Sequence, residues 1–346
     1  MSSKVLIRTP NHLGDCIMAL PMISETREAH PGANVTVLTP ESLRELFEGN
    51  PGIDHLLSIP TAHVHGLIGV FKVKEIIAKE KYDVGYILPP SFGAASSFKL
   101  GGVKERIGYI ADGRKLLLTR PITLPEPLNS QHRSVVYFDL LRRGAQVDLD
   151  YAPPKMTLND SDRQKANAIL QSVGIDENTK YVAVSHQAAA QSRRWGIDNY
   201  ATLVQRIIGG LNLPVVLIGS TADRDPGDEV ILASMSSSVH NLAGMTSLRA
   251  SAAVIARSEL FVGNDSGPAH LAAAVGAKIV VLSGADDPNE TSPLSSQKTI
   301  VRRGDLACIS CVKNICPLKG DEHMRCMKEM SVDDVFNAVR DMLKAR

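Results

Sequence analysis

Two turns hold the side chains best suited to chemistry. The first is in Val262-Gly-Asn-Asp-Ser-Gly-Pro-Ala-His270, where an apolar strand over 259–263 passes through Asn264, Asp265, Ser266 and Gly267 into an Ala-rich helix over 268–275. Pro268 falls in the first turn, where its missing N–H is no loss, and Gly267 lets backbone N–H groups approach a ligand closely. A helix start of this kind presents free N–H groups and the positive end of the helix dipole, which suits a phosphate. The same residues also suit an ordinary strand–turn–helix connection with Asp265 or Ser266 as N-cap. His270, one turn further on, has no evident orienting partner and reads as structural or phosphate-adjacent rather than catalytic.

The second turn follows the N-terminal strand Lys4-Val-Leu-Ile-Arg8 and reads Thr9-Pro-Asn-His-Leu-Gly-Asp15, leading into an amphipathic run up to Glu28. Asp15 stands at a helix start, where the dipole favours the carboxylate, so it can accept a proton or simply stabilise the first turn. Gly14 is the only glycine here, and without GxGxxG spacing a nicotinamide dinucleotide site is disfavoured. Two further segments lie at strand ends. Ser185-His-Gln-Ala-Ala-Ala-Gln-Ser192 leads to Arg193-Arg194-Trp195, a pair suited to phosphate or to surface stacking on the indole. Gly219-Ser-Thr-Ala-Asp223 ends in a carboxylate placed either to bond ribose hydroxyls or to cap the next helix.

Gly14-Asp15, Arg193-Arg-Trp195 and Asn264-Asp-Ser-Gly-Pro-Ala-His270, in this order along 5–282, together resemble the ADP-heptose:lipopolysaccharide heptosyltransferases of glycosyltransferase family nine, and within it most the heptosyltransferase II type. The resemblance implies a GT-B fold: two facing Rossmann-like α/β domains with parallel sheets and a central cleft. It implies inverting transfer of heptose from ADP-L-glycero-D-manno-heptose to the lipopolysaccharide inner core, heptosylated Kdo–lipid A first, with no cofactor or catalytic metal. Asp15 matches the family's catalytic base on an acceptor-binding domain. Arg193, Arg194, Asp223, Asn264, Asp265, Ser266, Gly267 and His270 fall on the donor side. Related enzymes commonly have Lys where Arg193 stands, and threonines near Ala188 and Ala189 are absent here.

These residues must be positioned by alternating strands and helices, which argue for parallel sheets covered on both faces. Strands are expected at 5–8, 34–39, 55–59, 84–88 and 105–109, then at 181–185, 214–218, 259–263 and 278–282. The Pro-rich stretch 121–127 reads as a loop, 132–143 as a helix, 160–173 as a polar helix connecting the halves, and 331–344 as an amphipathic helix. A chain of 346 residues, 44% hydrophobic, suits two domains. They are expected at 1–155 and 156–330, with 331–346 packing back towards the first.

Lys plus Arg number 38 against 37 Asp plus Glu, so no global field announces a nucleic-acid partner. The segment 99–143 is locally basic, and Lys99, Arg106, Arg114 and Lys115 are the candidates for an anionic lipopolysaccharide acceptor and for peripheral contact with the inner membrane. No apolar run reaches the roughly 20 residues of a membrane span, and no signal-peptide layout opens the chain. A cytoplasmic protein is expected. The cluster Cys308-x2-Cys311-x4-Cys316-x9-Cys326, near His323, has the composition of a metal knuckle but not a standard spacing; reduced thiols or a regulatory disulfide are the alternatives. Cys16 reads as a small buried residue. Competing functions on the same frame are a nucleotide-sugar epimerase, for which no further acid–base set is evident, and a non-catalytic nucleotide-sugar binding module.

Overall fold

The computed structural model describes residues 2–127 and 130–345, and the chain divides after Pro154 into two units. The first holds a parallel sheet of β1 (Lys4–Arg8), β2 (Asn34–Pro40), β3 (His55–Ile59), β4 (Val84–Ile87), β5 (Glu105–Tyr109) and β6 (Arg120–Ile122), in the order β3-β2-β1-β4-β5-β6. The second holds β7 (Val182–Ser185), β8 (Val215–Leu217), β9 (Val239–Asn241), β10 (Leu260–Asn264), β11 (Ile279–Leu282) and β12 (Lys298–Val301), in the order β9-β8-β7-β10-β11-β12. Each unit therefore repeats the doubly wound order 3-2-1-4-5-6, and the winding reverses between β1 and β4 and again between β7 and β10.

Central strands form because they are covered on both faces. Val5, Leu6 and Ile7 of β1 and Val182, Ala183 and Val184 of β7 are wholly buried, so they read as unbroken apolar runs rather than alternating ones. Helices supply the cover. In Ile197–Leu211, Tyr200, Leu203, Val204 and Ile207 recur at helical spacing on the buried face, and the helix stops where Asn212 turns left-handed at φ 53°.

Three strands escape the sequence reading: β6, β9 and β12. All three are edge strands. β6 contains Pro121, which the edge tolerates because one side of the strand needs no donor; the loop expected at 121–127 thus begins only at residue 123. The described residues of β12 are only half-buried, so no apolar run marks it.

The polar helix Asp160–Ser172 belongs to the second unit and is not a free connector. A capping box between Asn159 and Asp162 starts it, and Asp162 then receives the Arg249 guanidinium, with Nη2 to Oδ2 at 2.6 Å and Nε to Oδ1 at 2.9 Å. The closing helix Val332–Lys344 is part of the second unit. It packs on the second unit, against the helix Ile197–Leu211 and β10 to β12, because Val335 and Val339 complete that unit's core. Arg249→Ala strips a buried carboxylate of its counter-charge; urea unfolding is expected to show a loss of about 3–5 kcal/mol.

Candidate active site

In the first unit, β1 runs through Thr9-Pro-Asn-His12 into the helix Leu13–Met18, whose first turn holds Asp15. Across the switch point, β4 runs through Leu88-Pro-Pro-Ser91 into the helix Phe92–Leu100, where Ser91 accepts the Ala94 N–H at 3.2 Å. Residues from both turns line one cavity of about 850 Å³, walled by Asp15 together with Arg8, His12, His63, His65 and Arg133. Asp15 Oδ1 accepts a long hydrogen bond from the Tyr137 hydroxyl at 3.4 Å. Tyr137 is on the helix Arg133–Ala145, and burial, with the Asp15 charge second, holds its phenol well above the ordinary value, so it stays a proton donor at neutral pH. Burial lowers the Arg8 guanidinium to about 10, which leaves it cationic, and its Nη2 donates to Asn11 Oδ1 at 2.6 Å. Reading the sequence singles out Asp15 and misses Tyr137, Arg133, His63 and His65, because they come from separate crossovers, while His12 stands in the same turn as Asp15.

The acceptor-side candidates divide. Lys99 and Lys115 are exposed. Arg114 is wholly buried: its Nε donates to Tyr109 O at 2.8 Å, and its two terminal nitrogens donate to Pro89 O and Ile87 O. Arg106 is occupied in the same way, with Nε to Leu117 O and Nη1 to Val103 O, both at 2.7 Å. Both arginines satisfy backbone carbonyls around β4 and β5, which corrects their placement as acceptor ligands.

In the second unit the corresponding switch point gathers the donor-side candidates. Ser266 precedes the helix Gly267–Ala274 without a side-chain cap, its Oγ turning back to Asn264 O at 3.2 Å. Gly263 is required here, since a Cβ would stand 3.0 Å from Ser185 O on β7. Arg193, from the single turn Gln191–Arg193, places Nη2 at 2.6 Å from Asp286 Oδ1. His270 Nε2 is 4.0 Å from Asp265 Oδ1. Both amide atoms of Asn264, Oδ2 of Asp265, Oδ2 of Asp286 and Nε of Arg193 are buried with no hydrogen-bond partner among the described residues. Buried polar atoms are nearly always satisfied, so so many together point to a polar ligand.

Burial, and then the charge of Asp286, pushes the Asp265 carboxyl up to about 7, against the pull of Arg193 and Lys298. Burial likewise raises Asp286 to about 6, with Arg193 opposing and Glu290 adding. Asp286 and Lys298 are absent from the sequence-derived set. The signal for Asp286 was available in Ser283-Gly-Ala-Asp-Asp-Pro288, which follows β11 with the same strand–turn–helix order as the other site turns, whereas Lys298 stands at the start of the edge strand β12.

Arg194 is exposed and its Nε donates to Ala188 O at 2.8 Å. Asp223 Oδ2 accepts from Ser220 N at 2.7 Å and Ser220 Oγ at 2.8 Å, which closes a capping box on its own turn Thr221–Asp223, and it makes no side-chain cap to the following helix Arg224–Ser234. All five cysteines are unbridged, and among the described residues no three His, Cys, Asp or Glu side chains are arranged to hold a metal ion. Cys16 is buried, as expected.

Comparison with known proteins agrees with this geometry. The model of glycosyltransferase family 9 (heptosyltransferase) matches residues 70–321, spanning both units. The chain belongs to glycosyltransferase family 9. A relative, lipopolysaccharide heptosyltransferase 2 of Escherichia coli, is 28% identical over 308 residues, covering 86% of this chain and 88% of the relative. The solved structure of E. coli ADP-heptose lps heptosyltransferase II superposes with a TM-score of 0.81 at 24% identity, covering 98% of each chain. A glycosyl transferase family 9 structure from Veillonella parvula gives 0.83 at 21% identity, covering 99% of this chain and 97% of that one. These likenesses establish the family 9 fold, two Rossmann-like units of GT-B type.

The raised Asp265 has a consequence for stability. Its folded value lies above the 3.8 of an ordinary aspartate, so its contribution is intact below about pH 4 and is lost as pH rises through about 7. Asp265→Asn is expected to match the wild type near pH 4 and to be about 1–3 kcal/mol more stable near pH 8, read from urea unfolding across that range.

Proposed function

We propose that this family 9 enzyme transfers heptose from an ADP-heptose donor to a hydroxyl of the lipopolysaccharide inner core, with inversion and with Asp15 as the base. One observation carries the reading: the Asp15 carboxylate stands in the wall of a cavity of about 850 Å³ at the switch point of the first sheet. The cationic and imidazole side chains of Arg8, Arg133, His12, His63 and His65 around it fit an acceptor rich in phosphate and carboxylate. The printed names of the relatives supply the sugar and its carrier.

In this reading the acceptor hydroxyl approaches the donor's anomeric carbon and loses its proton to Asp15 as the new bond forms. Asp15 has to take the proton only as the new bond forms, because the hydroxyl becomes strongly acidic only in the transition state. The departing diphosphate takes up negative charge. Arg193, held by Asp286, and the N-terminus of the helix Gly267–Ala274 are set to stabilise that charge without drawing on a metal ion. Asn264 and Asp265 supply unpaired donors and acceptors for the sugar and phosphate oxygens. Arg194 remains a secondary cation at the same place, and His270 backs Asp265. The reaction is assigned to the cytoplasmic face of the inner membrane, and among the described residues no helix is long and apolar enough to cross a membrane.

Acceptor-dependent release of ADP from ADP-heptose tests the reading, with Kdo–lipid A offered with and without its first heptose. Asp15→Asn is expected to lower kcat by about a hundred- to ten-thousandfold while leaving donor binding intact. Release only with the heptosylated acceptor assigns the second heptose; no release with either acceptor overturns the reading.

A further inference from the structure

The helix Gly66–Ile77 is apolar on two sides. Gly69, Val73 and Ile77 face the core of the first unit, while Leu67, Ile68 and Phe71 are 79%, 70% and 57% exposed. The adjoining helix Phe92–Leu100 adds Phe92 and Leu100, each about half exposed, and the turn Arg114–Leu117 packed on it adds Leu116 at 89%. Six of the eleven large hydrophobic side chains found exposed in the described residues are thus on three neighbouring elements, whereas isolated exposed apolar residues are ordinary.

Charge complements this face. Lys99 and Lys115 are exposed beside Leu100 and Leu116 and make no ion pair among the described residues, while Lys72 is paired to Glu75 at 3.0 Å. The Asp112 carboxylate near Phe92 is engaged, its Oδ2 accepting from the Phe92 N–H at 2.9 Å. The apolar face is also continuous with the cavity of Asp15, because Leu67, Phe71, Phe92 and Leu100 form part of its wall. A free sugar has no use for an apolar rim. A sugar carried on acyl chains does, since the saccharide can enter the cavity while the chains stay in the bilayer.

We propose that Leu67, Ile68, Phe71, Phe92, Leu100 and Leu116 seat the first unit on an anionic phospholipid bilayer, with Lys99 and Lys115 against the headgroups and the Asp15 cavity opening at the membrane surface. The inference rests on the acceptor reading above for its purpose, while the bilayer contact itself stands on the exposed face. It replaces the purely basic face expected from the sequence: Arg106 and Arg114 turn inward, and what surrounds the two lysines is apolar. Insertion of such a face draws on buried apolar area and on attraction of lysines to anionic lipid together.

The test uses the full chain, vesicles of phosphatidylcholine with phosphatidylglycerol, and vesicles of phosphatidylcholine alone. The variant is Ile68→Glu with Leu116→Glu; both residues are exposed and neither lines the cavity. Wild type is expected to sediment with the mixed vesicles and to be released by omitting phosphatidylglycerol or raising salt. The double variant should partition at least about tenfold more weakly and melt like the wild type. Its ADP release should fall on bilayer-embedded acceptor and stay unchanged on a water-soluble, acyl-stripped acceptor. Absence of vesicle binding by the wild type, equal binding by the variant, or self-association abolished by the same substitutions would each overturn the proposal. Vesicle binding without turnover of either acceptor would overturn the heptosyl reading and leave the bilayer contact standing.

Discussion

Parallel pairing is the constraint on which this molecule depends. A parallel strand can be re-entered only after the chain has crossed back over the sheet, so every strand of a unit ends at the same edge. The order β3-β2-β1-β4-β5-β6 and its repeat in the second unit then place the reversal of winding beside β1 and β7. At each reversal the two following turns diverge to opposite faces and leave a crevice. Asp15 and Ser91 flank the first, and Arg193 and Asp265 are at the second. The chemistry sits where the topology leaves room for it, and the helices are bound to cover everything else.

Within the second crevice the electrostatics are poised rather than relaxed. Asp265 and Asp286 are both buried and both raised, Asp265 in part by the charge of Asp286 and Asp286 in part by Glu290, and Arg193 opposes that pressure on each. A stable fold does not need such an arrangement, and hydrophobic residues of the same volume would do as well or better. Its use is to keep Arg193 aligned and to hold donors and acceptors ready for a ligand. The buried pair of Arg249 and Asp162 is the contrast in the same unit: bidentate, fully hydrogen-bonded and structural. Two ion pairs of similar type thus differ in whether their remaining polar atoms are satisfied.

The arginines of the first unit show the limit of composition as a guide. Lys99, Arg106, Arg114 and Lys115 look alike as a run of basic residues. Arg106 and Arg114 are used up by carbonyls of the chain, while the lysines, with shorter reach and stronger hydration, remain at the surface. The same holds for Asp223, whose carboxylate closes its own turn.

The central strands, the major helices and the turns carrying Asp15, Arg193 and Asp265 were legible in the sequence, because burial on both faces imposes apolar runs and helix starts impose capping residues. The edge strands β6, β9 and β12 were not, since a strand paired on one side needs neither a continuous apolar run nor freedom from proline. Tertiary structure alone decided which residues surround Asp15 and Asp265. Tyr137, Arg133, Asp286 and Lys298 reach these sites through crossovers that join distant segments, and pairing between strands, which no local pattern encodes, sets where those crossovers end.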